Sequence, residues 1–238
     1  MLSLLVPAAL LSYLQAIYYL TDRSLFQSAH SLVSGGIHLD GFMDTMDAIH
    51  SYGGREKKLE ILKDPHLGAF AVISLAVYLL LYLGAANEYV QYLSGCEGDL
   101  RFLLYGMPAL VFVMERAFSG LSEVLFPSAK KDGLAAGFAR TAVKRTDRAV
   151  LAVWLALCMA IAFLLGWKMN GLVGACALSL GLGLVHLLVF WWYHRMSSNE
   201  FGGITGDLAG CFLQVCELAG LALLAALLKT GGLGGHII

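Results

Sequence analysis

Gly35-Gly36-Ile37-His38-Leu39-Asp40-Gly41-Phe42-Met43-Asp44-Thr45-Met46-Asp47-Ala48 is the stretch on which the fold turns. It belongs to a wider segment, Ser28 to His50, that hydropathy alone rejects as a membrane span because a glycine pair interrupts it and polar residues crowd it. The rest of the chain requires it to be one. Of the 238 residues, 58% are hydrophobic and 14% charged, and the mean hydropathy is +0.72. A soluble domain runs at about 45–50% apolar and about 25% charged, so most of this chain is solvated by lipid. Disorder is excluded, since it needs low hydrophobicity and high net charge. A net charge of -1 leaves no basic field for nucleic acid.

A transmembrane helix needs about 20 mostly apolar residues. Six segments qualify: Leu2–Leu20, Gly68–Tyr92, Phe102–Phe126, Ala149–Trp167, Leu172–Tyr193 and Leu208–Leu228. Leu2–Leu20 lacks a charged leader and a clear cleavage site, which makes it a first helix rather than a removed signal peptide. The basic residues of the connections at 51–67, 127–148 and 194–207 are Arg55, Lys57, Lys58, Lys63, Lys130, Lys131, Arg140, Lys144, Arg145, Arg148 and Arg195. Only Arg23, Arg101, Lys168 and Lys229 fall on the other side. Positive loops stay cytoplasmic, and the parity closes only if Ser28–His50 is a crossing or a deep partial crossing. The expected fold is therefore all-α: one integral membrane domain over 1–238, a polytopic helix bundle of about seven spans, amino terminus cytoplasmic. The glycines, 27 in all, suit close helix approach in lipid. The five cysteines form no C-x-x-C pair and mostly sit in apolar runs, so neither a disulfide framework nor a thiolate site is expected. The tail from Gly231 to Ile238 reads as loose.

On a helix Asp40, Asp44 and Asp47 fall at i, i+4 and i+7, within about 60° of one another. Neighbouring carboxylates about 6 Å apart repel by about 3 kcal/mol at an effective dielectric of 20, and burial in the bilayer adds about 3 kcal/mol for each charge. A hard divalent cation resolves that conflict: Mg²⁺ takes oxygen ligands, keeps several waters and is commonly held by carboxylates plus substrate phosphates. Gly36 and Gly41 would let a bulky substrate approach the backbone. His38, two residues before Asp40, points elsewhere on a continuous helix; it joins the acids only if the chain after Gly35-Gly36 is unwound.

Two polar clusters share the cytoplasmic side. Lys63-Asp64-Pro65-His66-Leu67-Gly68 opens a helix whose amino end, with a Lys nearby, suits an anion. Gly202-Gly203-Ile204-Thr205-Gly206-Asp207 opens the last helix; its glycines can offer N–H groups to a phosphate, while Asp207 either caps the helix or adds a metal ligand. Within the spans, Glu115 and Arg116 are sequence neighbours and so point apart, which leaves Arg116 to meet another carboxylate or a phosphate. Glu217 lies ten residues past Asp207 on a broadly similar face.

The run from Gly35 to Ala48 resembles the signature of the cobalamin synthase family, the adenosylcobinamide-GDP ribazoletransferases. Lys63–Phe70 is similar to its Lys-Asp-x-x-x-Gly block, and Pro127–Phe138, with Lys130, to the loop after its Arg-containing helix. Gly202–Asp207 followed by Glu217 is similar to its carboxy-terminal block. Order and spacing agree from about residue 33 to 228. The family's extra amino-terminal segment ahead of the first long helix has no counterpart in this sequence.

The resemblance implies a Mg²⁺-dependent enzyme of the bacterial inner membrane with its active site facing the cytoplasm. It would join adenosylcobinamide-GDP to α-ribazole or its 5′-phosphate and release GMP. Beside the two substrates and the bilayer, the partners it implies are further copies of the chain or other enzymes of the corrinoid pathway. Asp40 and Asp44 would hold the metal. Asp47 would act as base or as third ligand, with His38 as a second catalytic candidate. Lys63, Arg116 and Lys130 would contact phosphate, and Asp207 and Glu217 would complete the metal site or orient the lower ligand. Gly36, Gly41, Asp64, Gly203, Thr205 and Gly206 complete the expected substrate-binding set. A CDP-alcohol phosphotransferase would need Ala-Arg where Thr45-Met46 stands and a second Asp block, and an aspartate-rich prenyltransferase a second Asp-rich motif; neither follows. A cation transporter lined by Asp40, Asp44 and Asp47 is the alternative from another class.

Overall fold

The computed structural model describes residues 36–95, 98–129 and 144–233. Its elements are α1 (Ile37–His50), α2 (Arg55–Ile61), α3 (Ala69–Gly95), α4 (Gly98–Leu125), α5 (Lys144–Met196), a π-helical turn (Ser197–Phe201) and α6 (Gly206–Lys229). Among the described residues no strand forms; one isolated bridge pairs Ser128 with Ile204. The expected span Leu2–Leu20 and positions 28–35 lie outside the described residues.

α5 is two helices in one. Asn170 (φ -145, ψ 38) and Gly171 (φ 54, ψ -143) break it, and the arms at 144–169 and 172–196 fold back on each other. A Cβ on Gly166 would lie 2.2 Å from the Gly174 carbonyl oxygen, and one on Gly183 would lie 3.1 Å from Met159 Cε. In an unbroken helix residues 159 and 183 would be about 36 Å apart. The elbow falls between the expected spans Ala149–Trp167 and Leu172–Tyr193, because Asn170-Gly171 is a poor helix pair. Its amide donates to the carbonyls of Gly231 (3.3 Å) and Gly232 (3.4 Å), and Leu233 is fully buried. The start of the expected loose tail is thus anchored, a correction at 231–233.

Among the described residues three helices are long and apolar enough to cross a membrane: Ala69–Leu93 of α3, Arg145–Phe201 around the α5 hairpin, and Gly206–Lys229 of α6. α3 and the arms of α5 turn Leu80, Ile73, Val153, Leu164, Val173 and Leu180 outward, each more than half exposed. Aqueous proteins do not show so continuous an apolar surface; this is a membrane protein. α4, expected as the span Phe102–Phe126, forms at 28 residues with Glu115, Arg116 and Glu123 within it and is not among the three. Glu115 and Glu123 are both buried. Pro108 removes an N–H from α4 and orphans the Leu104 carbonyl one turn back; the Tyr89 hydroxyl of α3 donates to it.

α6 is the hub, packing on α1, α3, α4 and α5. Small residues set its approach: a Cβ on Gly220 would lie 2.5 Å from Val111 Cγ1, the close contact that replaces hydrophobic drive between helices in lipid. The two ends of the bundle differ. One gathers Arg55, Lys57, Lys58, Lys63, Arg145, Arg148 and Arg195. The other carries Lys168 and Lys229, the latter paired with Glu88 at 3.1 Å.

Candidate active site

α1 starts abruptly at a left-handed Gly36 (φ 75) with no side-chain cap, and Asp40 N–H closes the first turn on the Gly36 carbonyl at 2.9 Å. The helix buries Gly41, Phe42, Thr45 and Ala48 and leaves the opposite face to Asp40, Asp44 and Asp47, the first exposed and the others half-buried. At 14 residues it runs about 21 Å, short of a full crossing. His38 lies inside this continuous helix rather than in an unwound stretch. Its register is about 160° from Asp40, away from the acids, and its backbone packs on Gly210.

α1 docks on α6 through glycine. A Cβ on Gly41 would lie 2.7 Å from the Asp207 carbonyl oxygen and 2.9 Å from its Cα, and one on Gly210 would lie 3.1 Å from the His38 carbonyl oxygen. The face of Gly41 expected to admit substrate is therefore filled by the α6 backbone. That contact brings Asp207 to the carboxylate row: besides its own burial, Asp44 feels the charges of Asp40, Asp207 and Asp47, in that order. Thr205, not Asp207, caps α6, its hydroxyl accepting from Leu208 N–H at 3.3 Å.

Asp47 faces the Lys63–Phe70 block. Both its carboxylate oxygens lie 2.0 Å from where a Cβ on Gly68 would stand, so only glycine leaves that carboxylate its place. Asp64 turns back on its own loop, accepting from His66 N–H (3.0 Å) and from His66 Nδ1 (2.7 Å). That hydrogen bond holds its carboxyl below the usual range. Lys63 is exposed, and the His50 and Phe70 rings stack at 4.9 Å where α1 ends and α3 begins. Lys130 lies outside the described residues, as does all of its block beyond 129.

The Gly202–Asp207 turn is tied down differently from expectation. Gly203 N–H goes to the Ser197 carbonyl (3.0 Å) and Ile204 N–H to the Pro127 carbonyl (2.8 Å), so neither is offered to a phosphate. Gly203 (φ 152) presses on the backbone of 127–129, with the Pro127 carbonyl oxygen 2.4 Å from a Cβ position. Gly206 is open and exposed.

Arg116 and Glu217 stand apart from the row. The expectation that Glu115 and Arg116 cannot pair is overturned: Arg116 Nη1 donates to Glu115 Oε1, because the long guanidinium stem curls back over the 100° between neighbours. Glu217 Oε1 is 4.0 Å from the same nitrogen, and Gln214 Nε2 donates to Glu217 Oε2 at 3.2 Å. The cluster sits about 15 Å along α6 from Asp207. Losing one partner of a buried ion cluster costs about 3–5 kcal/mol. Arg116→Met therefore lowers the melting temperature of the purified protein sharply, and an unchanged melting curve would show the cluster to be inert.

Among the described residues no three His, Cys, Asp or Glu side chains converge closely enough to hold an ion alone, although four carboxylates act on one another. The two observations agree once range is considered: charge acts over many ångströms, ligand bonds over about 2 Å. An oxygen-only, half-exposed set of this spacing fits Mg²⁺ held by one or two carboxylates with waters and phosphate, not an all-protein cage. The connection at 51–67, read as a loop, contains α2, and the turn at 194–207 contains the π-helix. Sequence reasoning passed over Lys58 and Glu200, which join these two elements; the Leu59–Leu62 spacing beside Lys58 was the available signal.

Fold and site together define an all-helical membrane protein with an acidic, glycine-lined site at its basic end. The chain belongs to the cobalamin-5-phosphate synthase family, which it matches over residues 2–225. It is 43% identical to an adenosylcobinamide-GDP ribazoletransferase of Lachnoclostridium phytofermentans over 204 residues, covering 85% of this chain and 70% of the relative. Proteins of the same name from Pseudomonas savastanoi (33%, covering 86% and 75%) and Pseudomonas syringae pv. tomato (35%, covering 82% and 71%) are also similar. No solved structure matches the chain.

Proposed function

We propose that this chain transfers the adenosylcobinamide phosphate moiety of adenosylcobinamide-GDP to α-ribazole or its 5′-phosphate, releasing GMP. Membership of the family over nearly the whole chain carries that reading. The acidic site supports it, because phosphoryl transfer depends mainly on positioning and charge neutralisation. One or two of Asp40, Asp44 and Asp207 would hold Mg²⁺ together with waters and substrate phosphate, and the ion when bound would neutralise phosphate charge. Asp47 takes the proton of the ribazole hydroxyl as that oxygen attacks the phosphorus next to cobinamide, and GMP leaves with the anhydride bond. The register of His38 leaves Asp47 as the stronger candidate base. Lys63, exposed on the 62–68 turn, would meet phosphate.

The span count and orientation belong to the same proposal. The hairpin makes four crossings of the three apolar helices; α4, with its charges turned inward, makes a fifth. With Leu2–Leu20 and the segment ending in α1, the total reaches seven. The basic residues around α2 and at the ends of α5 support a cytoplasmic placement of the site in the inner membrane. The test is GMP release by the purified protein in detergent from adenosylcobinamide-GDP. Release that needs both ribazole and Mg²⁺ and stops on chelation is expected. Release indifferent to ribazole removes the activity; release indifferent to chelation removes the metal.

A further inference from the structure

The last helix does not set Asp207 by itself. It is entered through a π-helical turn, Ser197–Phe201, a wound-out geometry that is rare and frequent at functional sites. From inside the bundle the exit of that turn is held by the backbone of 127–129: Ile204 N–H reaches the Pro127 carbonyl and Ala129 N–H the Ile204 carbonyl, at 2.8 and 3.0 Å. From outside it is held by α2. Lys58, only 9% exposed, places Nζ 2.5 Å from Glu200 Oε2. Arg55, three residues earlier on the same helical face, lays its guanidinium against left-handed Gly202 (φ 77), with Nη1 2.7 Å from a Cβ position. Its Nη2 donates to the Ser198 carbonyl at 3.4 Å.

α2 is also the piece of chain between the acidic helix and the Lys63–Gly68 turn that abuts Asp47. One seven-residue helix therefore connects the chain leading to the turn that abuts Asp47 with the π-turn that precedes Asp207. The Lys58 side chain is 11% exposed and that of Glu200 43%, so the pair sits at a half-open rim where its loss costs little stability but releases a fixed direction. A leucine would pack as well without fixing a direction.

We propose that Lys58 and Glu200 are positioning residues, and that α2 is a strap that locks the π-turn so that Asp207 stands against Asp44. The inference rests on reading Asp207 as part of the carboxylate site. Arg55 is the second point of the strap and denies the turn its lateral freedom. The lock acts on the direction of the first turn of α6 through the π-turn before it, where Lys58 and Arg55 make their contacts.

The test uses the full-length protein in detergent or nanodiscs, with Lys58→Met (which keeps the apolar stem), Glu200→Gln and the exchanged pair Lys58→Glu/Glu200→Lys. Four quantities are measured: kcat, KM for adenosylcobinamide-GDP, melting temperature and amide exchange over 197–208. Misplacement by an ångström can cost a hundredfold in rate. Each single variant is expected to lose about 10- to 100-fold in kcat, with KM within a factor of about three and melting within about 2 °C. Exchange should accelerate at 197–208 and not elsewhere, and the exchanged pair should recover part of the rate. Unchanged kcat overturns the proposal, as does a loss that tracks melting and faster exchange throughout the bundle. Asp207→Asn separates the two readings. If it is as active as wild type, the role of Asp207 falls and the strap with it. If it is impaired while Lys58→Met is normal, only the strap falls.

Discussion

Asp44→Asn lowers GMP release by more than about 100-fold while the folded bundle becomes no less stable, and under chelation slightly more so. Asparagine keeps the volume and one oxygen but removes the charge. Asp44 is the carboxylate on which the other three act, so without a cation its neutral replacement relieves repulsion from Asp40, Asp207 and Asp47. For catalysis the same loss is severe. Even groups that merely orient a metal ligand are worth about 10- to 100-fold, and a ligand itself is worth at least as much. Chromatographic assay of GMP beside a melting curve decides the matter. Wild-type turnover by Asp44→Asn at limiting Mg²⁺ would remove the metal role, and a collapse of melting would make Asp44 a packing residue.

Gly41→Ala dismantles the site from the other direction. The added methyl meets the Asp207 carbonyl oxygen at 2.7 Å and Cα at 2.9 Å, and backbone in a packed helix cannot swing aside as a side chain can. Overpacking of this kind costs about 1–3 kcal/mol, and valine costs more. Since α1 and the start of α6 must separate, Asp207 leaves the row. Activity is expected to fall to background in both variants, with melting lowered progressively from alanine to valine. An alanine variant with normal turnover would mean that the two helices need not touch.

Most of the helical layout was legible because lipid solvation writes itself into composition. Ala149–Trp167 and Leu172–Tyr193 were expected as separate spans from their apolar lengths alone, and the observed elbow at Asn170-Gly171 falls between them. The acids at 40, 44 and 47 were placed on one face by period alone, and α1 puts them on the face opposite Phe42 and Thr45. What was illegible depended on partners distant in the chain. Gly36 and Gly41 looked like room for a substrate; Gly36 is open, but Gly41 makes room for Asp207, as Gly68 does for Asp47. The pairing of Glu115 with Arg116 was missed because register describes where a Cβ points, not where a long flexible side chain ends. Lys58 and Glu200 are 142 residues apart, and nothing local marks either as the other's counter-ion.

The elbow at Asn170 and Gly171 bears on biogenesis. Two apolar arms joined by so short a bend, with Gly166 and Gly174 already in backbone contact, can leave the insertion machinery together as one preformed wedge. They need not enter as separate strands of nascent chain that find each other afterwards. α4, which carries Glu115, Arg116 and Glu123, is made before that wedge exists. Its charges then wait for α5 and α6 to cover them. The order of synthesis therefore leaves the buried charges of α4 uncovered until the last two long helices have been made.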